Sequence, residues 1–375
     1  MPLIGRIKSA RSALVRRHAQ PADLPGAAQV ASTLLALALL WFVAARASGA
    51  YAWCLALVVP LIGLFTLRSF ALMHECGHGS VFRTSSLNRI SGFVLGVIVG
   101  MPQFVWSRNH QFHHAHNGDW ERYRGPLTTA SVAEFAAMSP GQQLRYQRRR
   151  SLLLAPLGGL AYLVVNPRIT WLRGCWAFAL HMTWHWAQAP TLPLRRHAAT
   201  FRTRRWNSRR EFWDMTGNNL VLLTLWVLMC QAAGPLRFFG VYLAALALAG
   251  GAGIVLFTVQ HNFEHSYASD SSAWDPIAGA VRGTSYLIMP RWLNWITVNI
   301  AYHHIHHLSS RIPNYRLARC HEENQDMFSQ VVRLRMWQIP GALKCILWDE
   351  SARRIISVAE YRRLARRPAF TPTNV

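Results

Sequence analysis

Residues 238–263, FFGVYLAALALAGGAGIVLFTVQHNF, form a run of 26 residues without a single Lys, Arg, Asp or Glu. Three further charge-free runs cover residues 24–45, 47–67 and 215–236. A helix of about 20 apolar residues crosses a hydrocarbon core about 30 Å thick. Because a soluble protein of this size could not bury four such runs, the sequence predicts an integral membrane protein.

The composition supports this prediction. Hydrophobic residues make up 51% of the 375 residues and charged residues only 15%, against about 25% charged in ordinary globular proteins. The 40 Lys and Arg outnumber the 16 Asp and Glu, for a formal charge of +24. These values exclude an ordinary cytosolic enzyme and a disordered chain. A nucleic-acid binder would carry its basic residues on a polar body, so no nucleic-acid partner is expected.

The four runs come in two pairs, which predicts two transmembrane helical hairpins with spans at about 24–45, 47–68, 215–235 and 238–260. Basic residues cluster outside the pairs, as is typical of cytoplasmic segments. We therefore predict an all-α, multi-pass membrane protein with both termini and a helical cap in the cytoplasm. Its expected divisions are an N-terminal segment (1–23), a membrane domain (24–325) and a basic tail (326–375).

Two other weakly charged segments do not fit this four-span scheme. Residues 90–107 contain no charge, but Pro102 and three glycines favour a segment that dips into the membrane without crossing it. Residues 151–194 are rich in tryptophan and are expected to form interfacial helices.

Four histidine clusters lie near the ends of the predicted spans: HECGH (74–78), HQFHH (110–114), HNFEH (261–265) and HHIHH (303–307). On a helix, positions i, i+3 and i+4 share one face, so each cluster projects two or three imidazoles in one direction. Imidazole suits iron, copper and zinc. The predicted topology allows all four clusters to meet on the cytoplasmic side, which predicts a histidine-rich metal site there.

Other histidines are expected to lie outside this site. His181 and His185 form a further HxxxH pair within a tryptophan-rich stretch, where interfacial polar side chains are the simpler interpretation. His116, His304 and His321 lie beside the clusters but off their helical faces.

The order of these boxes resembles that of the integral-membrane fatty acid desaturases. HECGH and HQFHH, the latter followed by Ala-His-Asn-Gly, look like their first two boxes. Residues 285–317, SYLIMPRWLNWITVNIAYHHIHHLSSRIPNYRL, are similar to the third-box region of bacterial acyl-lipid desaturases of the delta-5 and delta-12 type. The resemblance covers roughly residues 30–325.

This resemblance implies a di-iron centre that uses O2 and two electrons to insert a cis double bond into the acyl chain of a membrane lipid. The electrons would come from a separate donor such as ferredoxin. The family takes a further ligand from the segment after the last span, which points to His265. Some relatives have a different residue at the second position of that HxxxH, which affects both His261 and His265. The resemblance to bacterial desaturases also implies the bacterial inner membrane as the location. The implied metal ligands are His74, His78, His110, His113, His114, His261, His265, His303, His306 and His307.

Ligating imidazoles usually donate their other N–H group to a nearby acceptor. The candidates for this role are Glu75, Asp119, Glu264 and Asn299.

Three alternatives to a desaturase stay open from the residues alone. Membrane di-iron hydroxylases, monooxygenases and ketolases share similar histidine boxes. HECGH also satisfies the HExxH pattern of zinc metalloproteases, although that motif would leave most clustered histidines without a role. A metal transporter would place its ligands midway along the spans rather than at their ends.

Overall fold

The computed structural model describes residues 3–125 and 127–365, and these are mostly helical. The helices are α1 (Leu3–His18), α2 (Asp23–Arg46), α3 (Leu55–His78), α4 (Ser85–Val99), α5 (Gln103–His116), α6 (Val132–Ala137), α7 (Pro140–Arg148), α8 (Ala155–Leu160), α9 (Asn166–Gln188), α10 (Leu194–Thr200), α11 (Arg209–Ala233), α12 (Pro235–His261), α13 (Pro276–Val281), α14 (Arg291–Ile296), α15 (His303–Leu308), α16 (Asn314–Glu323), α17 (Ile339–Ala342) and α18 (Val358–Ala365). The strands are β1 (Ala130–Ser131), β2 (Ser285–Ile288), β3 (Val332–Arg335), β4 (Cys345–Asp349) and β5 (Arg354–Ser357).

Each of the four apolar runs forms a helix that is long and apolar enough to cross a membrane. The first and second runs form α2 and the helix Gly49–His78, which consists of a 3-10 turn followed by α3. The third and fourth runs form α11 and α12, joined at Gly234. α3 continues past its apolar run to His78, and α12 ends at His261, so these helices carry the first and third clusters at their C-terminal ends.

Residues 151–194 differ from the expected pair of interfacial helices. Leu152–Gln188 is one continuous helix of 37 residues, also long and apolar enough to span a membrane. Its parts are a 3-10 turn, α8, a π-helical turn at Ala161–Val165, and α9. Pro167 follows the π-helical turn after one residue, and this local widening of the helix accommodates the proline and its missing N–H. The proline therefore does not divide this segment into two helices.

Residues 90–107 bend as the sequence predicts. α4 and α5 meet at an angle of 99° around a turn at Gly100. Irregular backbone at membrane depth needs hydrogen-bond partners from the protein. Arg168 donates to the Gly100 carbonyl (2.7 Å) and Asn218 donates to the Met101 carbonyl (3.3 Å). A carboxylate oxygen of Asp214 accepts hydrogen bonds from two N–H groups in the first turn of α5. α9 and α11 thus stabilise the bend.

The prediction of an all-α fold is wrong in the segments outside the apolar helices. β1, β4 and β5 form one small sheet, and β2 pairs with β3 in parallel. The strands have only two to five residues and β1 pairs with a strand more than 200 residues later. A strand this short has too few residues to display an alternating pattern, so sequence periodicity could not reveal it.

Contacts cross the expected boundaries at residues 23 and 325. β3 and β4, which belong to the predicted tail, pair with strands from the membrane domain. At the other end, Ile7 and Leu14 of α1 pack in one apolar cluster with Ile305 and Leu317. Residues 366–375 of the predicted tail lie outside the described residues.

Candidate metal centre

Nine histidines converge into two adjacent clusters at the C-terminal ends of α3 and α12. The larger cluster consists of His74, His78, His110, His114 and His306. The smaller cluster consists of His113, His261, His303 and His307. The two are in contact, since the rings of His114 and His307 stack with their centroids 4.1 Å apart.

Helix geometry determines how each HxxHH box is divided. Residues i and i+4 lie about 40° apart around a helix axis, whereas i+3 lies about 60° to the other side of i. His110 and His114 accordingly enter the larger cluster, while His113 enters the smaller one. In α15 the pair His303 and His307 enters the smaller cluster, and the i+3 residue, His306, enters the larger one. Each box thus contributes to both clusters.

The nitrogen atoms are spaced as ligands of a common ion. Nε2 of His110 lies 2.7 Å from Nε2 of His74 and 2.9 Å from Nε2 of His114, which is 3.1 Å from Nε2 of His306. In the smaller cluster, Nε2 of His303 lies 2.9 Å from Nε2 of His261.

These separations match those between adjacent ligands of one metal ion. Two imidazole nitrogens, each bound about 2.1 Å from one ion at a right angle, lie about 3.0 Å apart. In addition, Nε2 of His78 is buried and has no hydrogen-bond partner among the described residues. A metal ion in each cluster would satisfy these nitrogens, so the residues fit a two-metal centre.

The clusters consist of neutral imidazoles. Burial lowers the pKa of His303, His306 and His307 well below the ordinary value near 6.5. A neutral imidazole keeps the lone pair that binds a metal ion. The set of nine nitrogen donors suits iron, copper or zinc rather than magnesium or calcium.

Among the four candidate acceptors, Glu75 lies beside the centre. One of its carboxylate oxygens lies 2.8 Å from Nδ1 of His74 and 3.4 Å from Nδ1 of His306. The carboxylate is 1% exposed. This oxygen lies between two histidines of the larger cluster and faces Nδ1 of both rings, an arrangement that favours the ring orientation with Nε2 toward the cluster.

The other three candidates contact different groups, which corrects the expectation for them. Asp119 accepts a hydrogen bond from the hydroxyl of Ser271 (2.7 Å). Asn299 donates to the backbone carbonyl of Asn314 (3.1 Å). The Glu264 side chain is 62% exposed. Nearness in sequence to a histidine box does not ensure that a side chain points toward the imidazoles.

His265 lies outside both clusters, so the implied ligand from the HNFEH segment has to be corrected to His261. α12 ends at His261, and the chain then turns, with His265 in the left-handed region (φ +67°). The i, i+4 relation between the two imidazoles holds only while a helix continues. Since it stops at the first histidine, His261 joins the smaller cluster and the His265 side chain is 70% exposed.

The remaining histidines lie outside the two clusters, as the sequence predicts. Nε2 of His304 lies 3.0 Å from Nδ1 of His321 in a separate buried pair. His181 lies 3.0 Å from the backbone carbonyl of His197, where it links α9 to α10.

Sequence reasoning missed several residues that hold the imidazoles in place. The Trp106 indole stacks on His110 at 4.5 Å and donates its N–H to the hydroxyl of Tyr162 (2.8 Å). The ring of Tyr123 contacts that of His113, with centroids 4.8 Å apart. Trp106 is four residues before His110, and this helical spacing is the one signal that could have identified it.

An apolar cavity of about 360 Å³ borders the metal centre. Residues of α3, α12 and the helix Leu152–Gln188 line most of it, and its lining includes His74, His110 and His303 of the clusters. Gly159 of α8 faces Gly250 of α12 at very close range: a Cβ atom added to Gly159 would lie 2.2 Å from the Gly250 carbonyl carbon. The cavity therefore lies beside the point where the two helix backbones meet.

Comparisons with known proteins agree with this arrangement. Residues 51–340 match the model of the fatty acid desaturase family. The chain is 30% identical to the fatty acid desaturase of Bacillus subtilis (strain 168), over 96% of this chain and 92% of that protein. It is 23% identical to the endoplasmic reticulum omega-3 fatty acid desaturase of Vigna radiata var. radiata, over 73% of this chain and 65% of that protein.

The chain belongs to the fatty acid desaturase family, a family of oxidoreductases. It is an integral membrane enzyme of fatty acid desaturation with apolar helices and metal-binding histidine boxes. This assignment favours desaturation over the hydroxylase, ketolase, metalloprotease and transporter alternatives.

Proposed function

We propose that the enzyme inserts a cis double bond into the acyl chain of a bacterial membrane lipid, with O2 and two electrons as co-substrates. The observation that carries this proposal is the apolar cavity whose lining includes three of the nine clustered histidines. An apolar cavity accepts a hydrocarbon chain and excludes water from the reacting carbons.

The two clusters would hold two iron ions. The proposed ligands are the nine clustered histidines, with His261 in place of His265. When bound, an iron pair supplies the activation of O2 for attack on an unactivated C–H bond, which amino-acid side chains alone cannot provide. The protein's part is to orient the imidazoles through Glu75, Trp106 and Tyr123, and to hold the acyl chain beside them.

We further propose that the clusters and both termini lie on the cytoplasmic side. α3 and α12 both end at the clusters, and so does α5 after the bend. Between His78 and His261 the chain must therefore cross the membrane an even number of times, and α11 and α12 already supply two crossings. Leu152–Gln188 would then lie in the membrane without a full crossing. The exposed Trp176, Trp184 and Trp186 fit an interfacial position.

A ferredoxin-like protein is the proposed electron donor. The formal charge of +24 supports an acidic redox partner on the cytoplasmic side.

The test is fatty acid analysis of a bacterial host that expresses the chain together with a ferredoxin system. Gas chromatography–mass spectrometry of derivatised fatty acids should detect a new unsaturated acid and locate its double bond. His306→Ala should abolish this product because His306 contributes to the larger cluster and approaches Glu75. The matched control is His185→Ala, a membrane-segment histidine outside both clusters.

Hydroxylated or ketolated lipid in place of the unsaturated acid would overturn the proposed reaction. Full activity of the His306→Ala variant, at equal expression, would overturn the ligand assignment.

A further inference from the structure

Arg68 lies in the apolar part of α3, six residues before His74, and its side chain is 1% exposed. Its hydrogen-bond partners are a hydroxyl group and a carbonyl group rather than a carboxylate. Nε donates to the hydroxyl of Thr33 on α2 (2.9 Å), and Nη1 donates to the backbone carbonyl of Trp295. A buried arginine in a membrane helix is costly and is typically found where it has a function.

The contact with Trp295 joins the first histidine box to the segment that leads into the third. The guanidinium carbon lies 3.8 Å from the centroid of the Trp295 ring, a cation–π contact. Phe65, one turn earlier on α3, contacts the same ring edge-on at 5.9 Å. The end of α14 is therefore fixed to α3 through both its backbone and its side chain.

The turn that follows Trp295 is strained. Val298 and Asn299 both adopt left-handed backbone conformations, with φ of +59° and +58°. This conformation is unfavourable for a β-branched residue such as Val298 and persists only where surrounding contacts enforce it. Four residues after Asn299 comes His303, so the direction of this turn determines where α15 begins.

Contacts from other elements hold the far side of the same turn. Gln260, next to His261 on α12, donates to the backbone carbonyl of Ile300 (2.7 Å). Asn299 donates to the carbonyl of Asn314 (3.1 Å). Arg68 provides a hydrogen bond from the helix of the first box to this turn, and this box shares the larger cluster with His306.

We propose that Arg68 is a positioning residue for the metal centre: it holds the Trp295–Asn299 turn against α3 and so sets the third-box imidazoles at ligand distance from those of the first box. This inference rests on the proposed function, in which the two clusters bind metal. Arg68 contacts no clustered histidine itself and acts through the backbone of the turn.

The test measures metal binding rather than catalysis. The full-length protein is purified in detergent, stripped of metal and titrated anaerobically with Fe²⁺, and in parallel with Co²⁺, whose visible absorption reports its ligand field. Arg68→Met should weaken metal binding at least tenfold and alter the Co²⁺ spectrum, while circular dichroism retains the helical content. Arg68→Lys should recover part of the affinity, since an ammonium group can still donate to the Trp295 carbonyl.

Arg237→Met is the matched control. Arg237 also donates to a backbone carbonyl, that of Ala45 (2.6 Å), but at the opposite end of α12 from His261. The Arg237→Met variant should bind metal with the same affinity as the wild type. If Arg68→Met fails to accumulate in the membrane, Trp295→Leu carries the test, because it removes the stacked ring and should cause a smaller loss of affinity.

The possible outcomes distinguish a failure of the Arg68 role from a failure of the proposed metal binding. Wild-type protein that binds fewer than two metal ions would contradict the proposed ligand set. In a second outcome, the wild type binds two metal ions while Arg68→Met, or its substitute Trp295→Leu, keeps the wild-type metal affinity and Co²⁺ spectrum. This result would overturn the role of Arg68 and leave the proposed metal binding intact. A lowered melting temperature with unchanged metal affinity would likewise reduce Arg68 to a packing role.

Discussion

His113 and His306 each belong to a different cluster from the other two histidines of their HxxHH box. Each is the i+3 member of its box, rotated away from the i and i+4 pair. The consequence is that α5 and α15 both bridge the two clusters. A shift of either helix would therefore disturb both metal positions at once, which explains why buried side chains such as Trp106 and Glu75 pack against the imidazoles.

Glu75 provides the first residue-scale prediction. Glu75→Gln keeps the size of the side chain but replaces the carboxyl group beside the Nδ1 atoms of His74 and His306 with an amide. We expect metal affinity to fall about 10- to 100-fold, as is typical when such an outer partner is lost. Titration of the metal-free protein with Fe²⁺ measures this. Glu264→Gln, at an exposed carboxylate in the next segment, serves as the control and should leave affinity unchanged.

The second residue-scale prediction concerns the two histidines of HNFEH. His261→Ala should remove one of four donors from the smaller cluster, so that the purified protein holds about one iron ion per chain instead of two and loses desaturation. His265→Ala should retain both the full iron content and desaturation, because the side chain of His265 is exposed to solvent. Iron determination on the two variants checks this. The reverse pattern would restore His265 as the ligand.

At the scale of elements, α8 packs against α12 through glycines. Gly159 and Gly250 let the two backbones approach to a distance that leaves no room for a Cβ atom. The helices can then form one wall of the apolar cavity while α3 forms another.

Gly159→Ala should force these helices apart and destabilise the protein by about 1–3 kcal/mol, the usual cost of overpacking. Thermal unfolding in detergent should show a lower melting temperature. The control is Gly240→Ala on α12, the helix against which Gly159 packs, at a position where nothing lies within 4 Å of the added Cβ atom. Alanine there should stabilise the helix by about 0.5–1 kcal/mol. Equal melting temperatures for the two variants would contradict the close packing.

At the scale of the whole molecule, the convergence of α3, α5, α12 and α15 constrains the membrane topology. If the helix Leu152–Gln188 crossed the membrane once, α12 would end on the opposite side from α3. The structure brings their C-terminal histidines together. The proposed topology therefore has the connection between α10 and α11 on the same side as the metal centre.

Cysteine labelling tests this topology in the full-length chain. Cys54, Cys175 and Cys230 are only half-buried and are first replaced by Ser. A cysteine at Ser48, between α2 and the next helix, should react with a membrane-impermeant maleimide in intact cells. A cysteine at Arg204, between α10 and α11, should react only after the inner membrane is opened. Labelling of the Arg204→Cys variant from outside would show that Leu152–Gln188 crosses.

The sequence by itself was sufficient for the helices of the four charge-free runs, the bend between α4 and α5, and the four histidine boxes. The reason is that these features depend on local properties: the length of an apolar run, a proline and glycines in a short segment, and helical spacing of like residues. The resemblance to the desaturase family rested on the same local motifs, and the family comparison confirmed it.

The tertiary structure decided what depends on where elements end and which distant residues meet. The end of α12 at His261 excluded His265, and the short strands of the C-terminal segment became visible only through their pairing. Likewise, Arg68 is separated by more than 200 residues from the turn that it holds. Neither helix termini nor such long-range contacts leave a periodic signal in the chain, because they are set by packing between elements rather than within them.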